Sequence, residues 1–177
     1  TDLWTVDEYR DFELEWEWRA DKAANSGVKY RVQQAITLVV VEEDKKWRPV
    51  ADPSLAPKEI TLEYTRGLEY QMADDEFEPS SLKRADSRSG GLYSLFPPSR
   101  ETGRKHGEWN QSRLLVRGGR VEHWLNGELV LAYDEAKLAA RLKETGASLR
   151  VARDRGPLAL QYHQTRVAFR KMRVRTF

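Results

Sequence analysis

Alternation with a period of two runs through most of this chain. In Phe12-Glu13-Leu14-Glu15-Trp16-Glu17-Trp18 four large apolar side chains point one way and three carboxylates the other, the signature of a half-buried strand. Val28, Tyr30 and Val32 repeat it with Lys29, Arg31 and Gln33 opposite, and Leu68, Tyr70 and Met72 alternate with Gly67, Glu69 and Gln71. Ile36 to Val41 is a more continuous apolar strand. Leu114 and Val116 mark another strand. Gly118-Gly119 and Asn126-Gly127 are hairpin signals around strands at Val121 to Leu125 and Leu129 to Leu131. Leu158 to Tyr162 and Val167 to Val174 supply the last two, with an irregularity at Lys171. One segment follows a helical period instead. Asp134 to Glu144 carries Leu138, Ala139 and Leu142, with Asp134 placed as N-cap and Gly146 as the residue past the C-terminus. Two stretches, Glu42 to Lys58 and Ala73 to Gly91, read as long irregular loops. The pattern predicts an all-β fold: one antiparallel β-sandwich of jelly-roll type with a single short helix. Its core is expected to hold Trp16, Val28, Tyr30, Leu68, Tyr70, Leu158, Leu160 and Tyr162.

Composition narrows the chemistry. The 177 residues fit one domain, expected over 1–177. There is no cysteine, which excludes disulfide scaffolds, cysteine-bound metals and thiol nucleophiles. A net charge of +2 gives no reason to expect nucleic acid. The basic C-terminal stretch with Arg166, Arg170, Lys171, Arg173 and Arg175 reads as one solvated strand face. No apolar run approaches the ~20 residues of a spanning helix. Phosphate loops, nucleophile elbows and His-Glu-x-x-His helices are absent from the sequence.

Strand parity sorts the remaining polar residues. Glu17, Arg31, Glu69, Gln71, Gln161 and His163 face away from the apolar positions of their strands. On one sheet they would gather carboxylates, amides, a guanidinium and an imidazole, a set suited to sugar hydroxyls and proton transfer. Period-2 patterning also predicts a merely solvated polar face. Of the 3 histidines, His123 shares parity with Val121 and Leu125 and reads as a core histidine, while His106 lies in a polar loop. Trp124 then faces outward, either as a stacking platform for a sugar ring or packed under a loop. Asp74-Asp75-Glu76 with Glu78 reads as a solvated acidic loop, calcium being the cation such a cluster would suit.

Several blocks together resemble one family. They are Leu3-Trp4-Thr5 with Asp11-Phe12-Glu13-Leu14, Asn25-Ser26-Gly27-Val28 leading to Tyr30-Arg31, and Gly67-Leu68-Glu69-Tyr70-Gln71 before Asp74-Asp75. Gly91-Leu92-Tyr93 precedes Pro97-Pro98, and Gly107-Glu108-Trp109-Asn110 leads to Val121-Glu122-His123-Trp124-Leu125-Asn126-Gly127. Gly156-Pro157-Leu158-Ala159-Leu160-Gln161, His163 and Phe169-Arg170 complete the set. In order and spacing they resemble the 3-keto-disaccharide hydrolases, which implies a concanavalin-like jelly roll. Two departures stand out. Members of that family carry another strand or two ahead of the Leu-Trp-Thr block, so such strands are expected before Thr1. Their last block ends Leu-Gln-Asp-His-Gly, where this chain has Leu160-Gln161-Tyr162-His163-Gln164.

The resemblance implies a glycoside substrate already oxidised at C3 of the sugar, cleaved by C2 proton abstraction, elimination and hydration. It assigns proton transfer to His163 or Glu69 and enolate stabilisation to Arg31, with a divalent metal as the alternative electrophile and no organic cofactor. Gln71, Gln161, Glu17, Trp124 and Asn25 become the sugar-binding candidates. A periplasmic or extracellular location is expected by resemblance. The alternative is a non-catalytic carbohydrate-binding module of the same fold; a third reading is a structural sandwich without sugar affinity. Retaining β-glucanases of similar fold place Glu-x-Asp-x-x-Glu on one strand, a spacing that Glu69 to Asp75 lacks.

Overall fold

The computed structural model describes residues 2–33, 35–41, 46–49, 61–77, 84–145 and 154–177; within 35–65 it describes the backbone of three strands. The strands are β1 (Leu3–Trp4), β2 (Phe12–Ala20), β3 (Asn25–Tyr30), β4 (Ala35–Val41), β5 (Lys46–Pro49), β6 (Thr61–Thr65) and β7 (Leu68–Ala73). After them come β8 (Asn110–Arg117), β9 (Arg120–Leu125), β10 (Glu128–Asp134), helix α1 (Glu135–Thr145), β11 (Ala159–Leu160) and β12 (Val167–Thr176). All pairings between these strands are antiparallel. A four-stranded sheet, β1-β11-β3-β7, and a five-stranded sheet, β10-β9-β8-β2-β12, enclose the core, and β5-β4-β6 pair separately. The β-sandwich with one helix is thus the observed fold.

Alternation places the core as the pattern predicted. Phe12, Leu14, Trp16 and Trp18 of β2 are buried, as are Val28 and Tyr30 of β3 and Leu68, Tyr70 and Met72 of β7. Both glycine turns form, with positive φ at Gly118, Gly119, Asn126 and Gly127, the left-handed backbone such two-residue hairpin loops require. The helix starts where its cap was placed: the Lys137 N–H donates to Asp134 Oδ1 at 2.8 Å. The expected end at Gly146 lies outside the described residues.

Four expectations are corrected. The stretch expected to be irregular from Glu42 contains strand β5, and β6 forms where no strand was foreseen. The strand expected over Leu158 to Tyr162 shrinks to Ala159–Leu160, so Tyr162 escapes the alternation and is 61% exposed rather than in the core. The strand through Val32 stops at Tyr30, because Arg31 turns into left-handed backbone with φ of 50°. The acidic loop is not merely solvated: Asp74 is buried and takes the Ala23 N–H at 2.9 Å, while Asp75 takes the Ser89 N–H at 3.0 Å. Burial pushes the Asp75 carboxyl above the usual carboxylate range, against the hydrogen bonds from Ser89.

Two tyrosines of the four-stranded sheet cross the core. Tyr30 is 2.9 Å from His123 Nε2 and 2.6 Å from the Tyr133 hydroxyl. His123 Nδ1 lies 2.9 Å from the Gly90 carbonyl, so Nδ1 carries the proton and Nε2 accepts from Tyr30, which accepts from Tyr133. Tyr70 donates to the Trp124 carbonyl at 2.9 Å and accepts from Ser112, which accepts from Trp18 Nε1 at 2.9 Å. Each buried polar atom in these chains has a partner, which is why they are tolerated in the core.

His123 is the core histidine that its parity indicated, and burial pushes it from 6.5 down to about 4, against backbone bonds to Gly90 and Gly91 that raise it. Between pH 6.5 and 4 the unfolded chain binds a proton that the folded one refuses, so stability falls as pH falls and levels off below about 4. Urea unfolding should show a loss of about 2 kcal/mol from this group between pH 7 and 5. The same comparison for His123→Gln should lack that increment, though the variant is less stable at every pH.

Candidate active site

The outer face of β3 and β7 carries the candidate chemistry. The two strands pair with Asn25 opposite Ala73, Gly27 opposite Gln71 and Lys29 opposite Glu69. Their other parity is inward, so burying Val28, Tyr30, Tyr70 and Met72 forces Asn25, Lys29, Glu69 and Gln71 outward. The segment after Ser89 extends the sheet past β7: the Gln71 N–H donates to Gly91 O and the Tyr93 N–H to Glu69 O, both at 3.0 Å. Tyr93 is thereby set beside Glu69.

On the other side of β3 the chain from Gln161 to Thr165 is clamped at both ends. The Gln161 N–H donates to Gly27 O at 2.9 Å, and Ser26 Oγ donates to Gln161 O at 2.8 Å. Thr165 Oγ1 donates to Asn25 O at 2.8 Å and accepts from the Asn25 N–H at 2.9 Å. Between these ties Tyr162 donates its N–H to Asp2 Oδ1 at 3.0 Å. Gln164 stands where the family pattern has glycine, and its backbone is left-handed with φ of 57°.

A cavity of about 560 Å³ opens between the clamped segment and β7. Asn25, Lys29, Glu69 and Tyr93 form one part of its wall, and Gln161, His163 and Thr165 another. Glu69 is 4% exposed and Gln71, behind Asn25, is fully buried. Gln161 Nε2 donates to Glu69 Oε2 at 3.3 Å, and Gln71 Nε2 donates to Asn25 Oδ1 at 3.0 Å. The amide oxygens of Gln71 and Gln161 are buried without a hydrogen-bond partner among the described residues. Asn25 and Gln161 line this polar cavity with carboxamides, groups suited to hydroxyl partners. Lys29 Nζ and Asp2 Oδ2, 3.0 Å apart and both nearly buried, put an ion pair into the wall.

Five of the eight expected site residues therefore gather here: Glu69, Gln161, His163 and Asn25 at the wall, and Gln71 behind it. Arg31 does not. The left-handed turn ends the parity that would have kept it beside Lys29; it pairs with Glu135 at 2.6 Å and lines a separate cavity with Asp11 and Asp154. Glu17 and Trp124 stand on the outer face of the five-stranded sheet, on β2 and β9. Glu17 accepts from Arg170 at 2.6 Å and Lys171 at 2.9 Å, and these two cations hold its carboxyl below the usual range. A β-bulge at Lys171, with φ of 52°, brings both cations onto that one carboxylate. The Trp124 ring is occupied by the Arg113 guanidinium, 4.3 Å from its centroid, and its Nε1 donates to Glu122. Parity assigned these side chains to a face but not to a sheet.

Lys29, Tyr93, Asp2 and Thr165 also line the cavity and are not among the site residues expected from the sequence. Lys29 was legible in principle, since it shares the parity of Asn25 and faces Glu69 across the register. As for a metal, Asp74, Glu76 and His106 bring ligand atoms within 4.8 Å of one another, one imidazole and two carboxylates. None of the three lines the cavity, and Glu76 is also 3.4 Å from Lys105. Among the described residues no helix is long and apolar enough to cross a membrane.

An antiparallel sandwich with a polar cavity on the outer face of one sheet defines the class. Comparison with known proteins places the chain within it. Residues 1–175 match the family of 3-keto-alpha-glucoside-1,2-lyase-like domains, and the chain belongs to that family. It is 32% identical over 134 residues to a 3-keto-disaccharide hydrolase of Bacteroides thetaiotaomicron, a match covering 75% of this chain and 41% of that protein. The chain thus spans about two fifths of the curated relative's length. The crystal structure of a candidate glycosyl hydrolase from Parabacteroides distasonis superposes with a TM-score of 0.73 at 26% identity, covering all of this chain and 76% of the other. A second from the same organism has the same fold, with a TM-score of 0.67 at 23% identity and 84% of its chain covered.

Left-handed backbone costs a residue with a side chain roughly 1–2 kcal/mol that glycine avoids. Gln164→Gly should raise the melting temperature by several degrees, read by differential scanning calorimetry.

Proposed function

We propose that this chain cleaves glycosides whose sugar already carries a ketone at C3. The observation that supports this most is the meeting of a buried carboxylate, three carboxamides, an imidazole and an ammonium around one cavity, in a chain of this family. The C3 carbonyl acidifies the hydrogen on C2. Glu69 takes that proton, and the electron pair becomes an enolate. The enolate collapses by breaking the bond from C1 to the glycosidic oxygen, which leaves as the alcohol with a proton from His163. Water then adds its oxygen at C1 of the resulting enone and a proton returns to C2. The sum is hydrolysis, with no oxidant or reductant consumed.

The enolate oxygen needs positive charge beside it. Lys29 fits this role in place of Arg31, because it lines the cavity opposite Glu69 while Arg31 lines another. Asn25 and Gln161 orient the sugar from the wall, and Gln71 holds the Asn25 amide from behind. Lys29 and Asp2 hold one another in the wall, so the ammonium is fixed before substrate arrives.

Aglycone release from a 3-keto-glucoside, followed by chromatography, tests the reading. The protein should release aglycone from the oxidised glycoside and not from the unoxidised one. Glu69→Gln should lower kcat by about 10²–10⁴-fold. Glu17→Gln and Trp124→Ala should leave kcat within a factor of two or so. Saturable sugar binding without any product would instead make the chain a binding module.

A further inference from the structure

We propose that Gly27 is a positioning residue for the Glu69 carboxylate, and that the absence of a side chain there is what places the base. The inference rests on the reading of Glu69 as that base. Strand order on this sheet is β11-β3-β7, so Glu69 on β7 and Gln161 just past β11 lie on opposite sides of β3. The Gln161 amide nevertheless reaches Glu69 Oε2 at 3.3 Å. The contact requires the glutamate side chain to pass over the backbone of β3, and it passes over Gly27. A Cβ at position 27 would lie 2.6 Å from both Glu69 Cγ and Oε1 and 2.9 Å from Cδ. Those separations are far inside carbon–carbon contact distance.

The backbone offers no other reason for glycine. Gly27 is an ordinary strand residue, paired opposite Gln71, and is not among the residues of positive φ. Its carbonyl accepts the Gln161 N–H, a bond that any residue provides. Glycine inside a strand is destabilising relative to alanine. The three nearest atoms a methyl group would meet, all at under 3.0 Å, belong to the Glu69 side chain. A methyl there moves the carboxylate off β3 and away from the Gln161 amide, while the strand backbone can stay as it is.

A double-mutant cycle on the whole chain tests this, with kcat, KM and melting temperature measured for Gly27→Ala, Glu69→Gln and the pair on a 3-keto-glucoside. A misplacement of about 1 Å costs about 10²-fold. Gly27→Ala should therefore lose about that factor in kcat with KM and melting temperature little changed. The double variant should be no slower than Glu69→Gln alone, since no base remains to be positioned. Full kcat in Gly27→Ala beside a crippled Glu69→Gln would overturn the positioning role and leave the base standing. Full kcat in Glu69→Gln would overturn the base and this inference with it. Additive losses in the double variant would show that Gly27 acts apart from Glu69, and also overturn it. Should Gly27→Ala unfold, Glu69→Ala in that background must restore the melting temperature; failure to do so would place the clash elsewhere and count against the proposal.

Discussion

Tyr30 and Tyr70 hold the β3–β7 pair to the opposite sheet through hydroxyl bonds to His123, Tyr133, Ser112 and the Trp124 carbonyl. Everything proposed for the site depends on that tie. A strand has two faces and one register, so fixing which residues point inward fixes the rest outward. With Tyr30 and Tyr70 locked across the core, Lys29 and Glu69 meet on the outer face. A slip of one residue would send the carboxylate into the core and a tyrosine into solvent. The hydroxyl bonds guard against this more sharply than apolar burial does, because a buried phenol in the wrong place would lose specific partners.

The second support is the clamp on the 161–165 segment. Alternation places nothing there, since regular strand ends at Leu160. Position is instead supplied by backbone and hydroxyl bonds to Asn25, Ser26 and Gly27 of β3. β3 therefore organises both walls: one by pairing with β7, the other by holding Gln161 and Thr165. The Asn25-Ser26-Gly27 block, which in isolation reads as a turn entering a strand, performs each of these tasks with a different atom. Tyr162 and Gln164, the two departures from the family's last block, lie within the clamp and leave its ties intact.

The fold was largely legible because strand alternation is a local signal. Phe12 to Trp18, Leu68 to Met72 and both glycine turns stand in the sequence as they stand in the structure. The candidate site was legible where face and sheet coincide, since Asn25 and Glu69 line the cavity and Gln71 stands behind it. It failed in two physical situations. Arg31 shares the parity of Lys29, but one left-handed residue redirects it, and no pattern in the sequence marks that turn. Parity gives Glu17 and Trp124 an outward face but no sheet, because sheet membership depends on pairing between distant segments, and both stand on the five-stranded sheet. There Glu17 meets cations of β12, and the basic C-terminal strand proves to be the partner of β2 carboxylates.

On the proposed reading the sugar reacts on the outer face of β3 and β7. A crystal structure of the Glu69→Gln variant with a 3-keto-glucoside bound tests it most directly. The pyranose ring should lie in the cavity between Asn25 and Gln161, with C2 about 3–3.5 Å from the residue 69 amide and sugar hydroxyls on the Asn25 and Gln161 amides. A ring stacked on Trp124 across the sandwich, with the β3–β7 cavity empty, would contradict it.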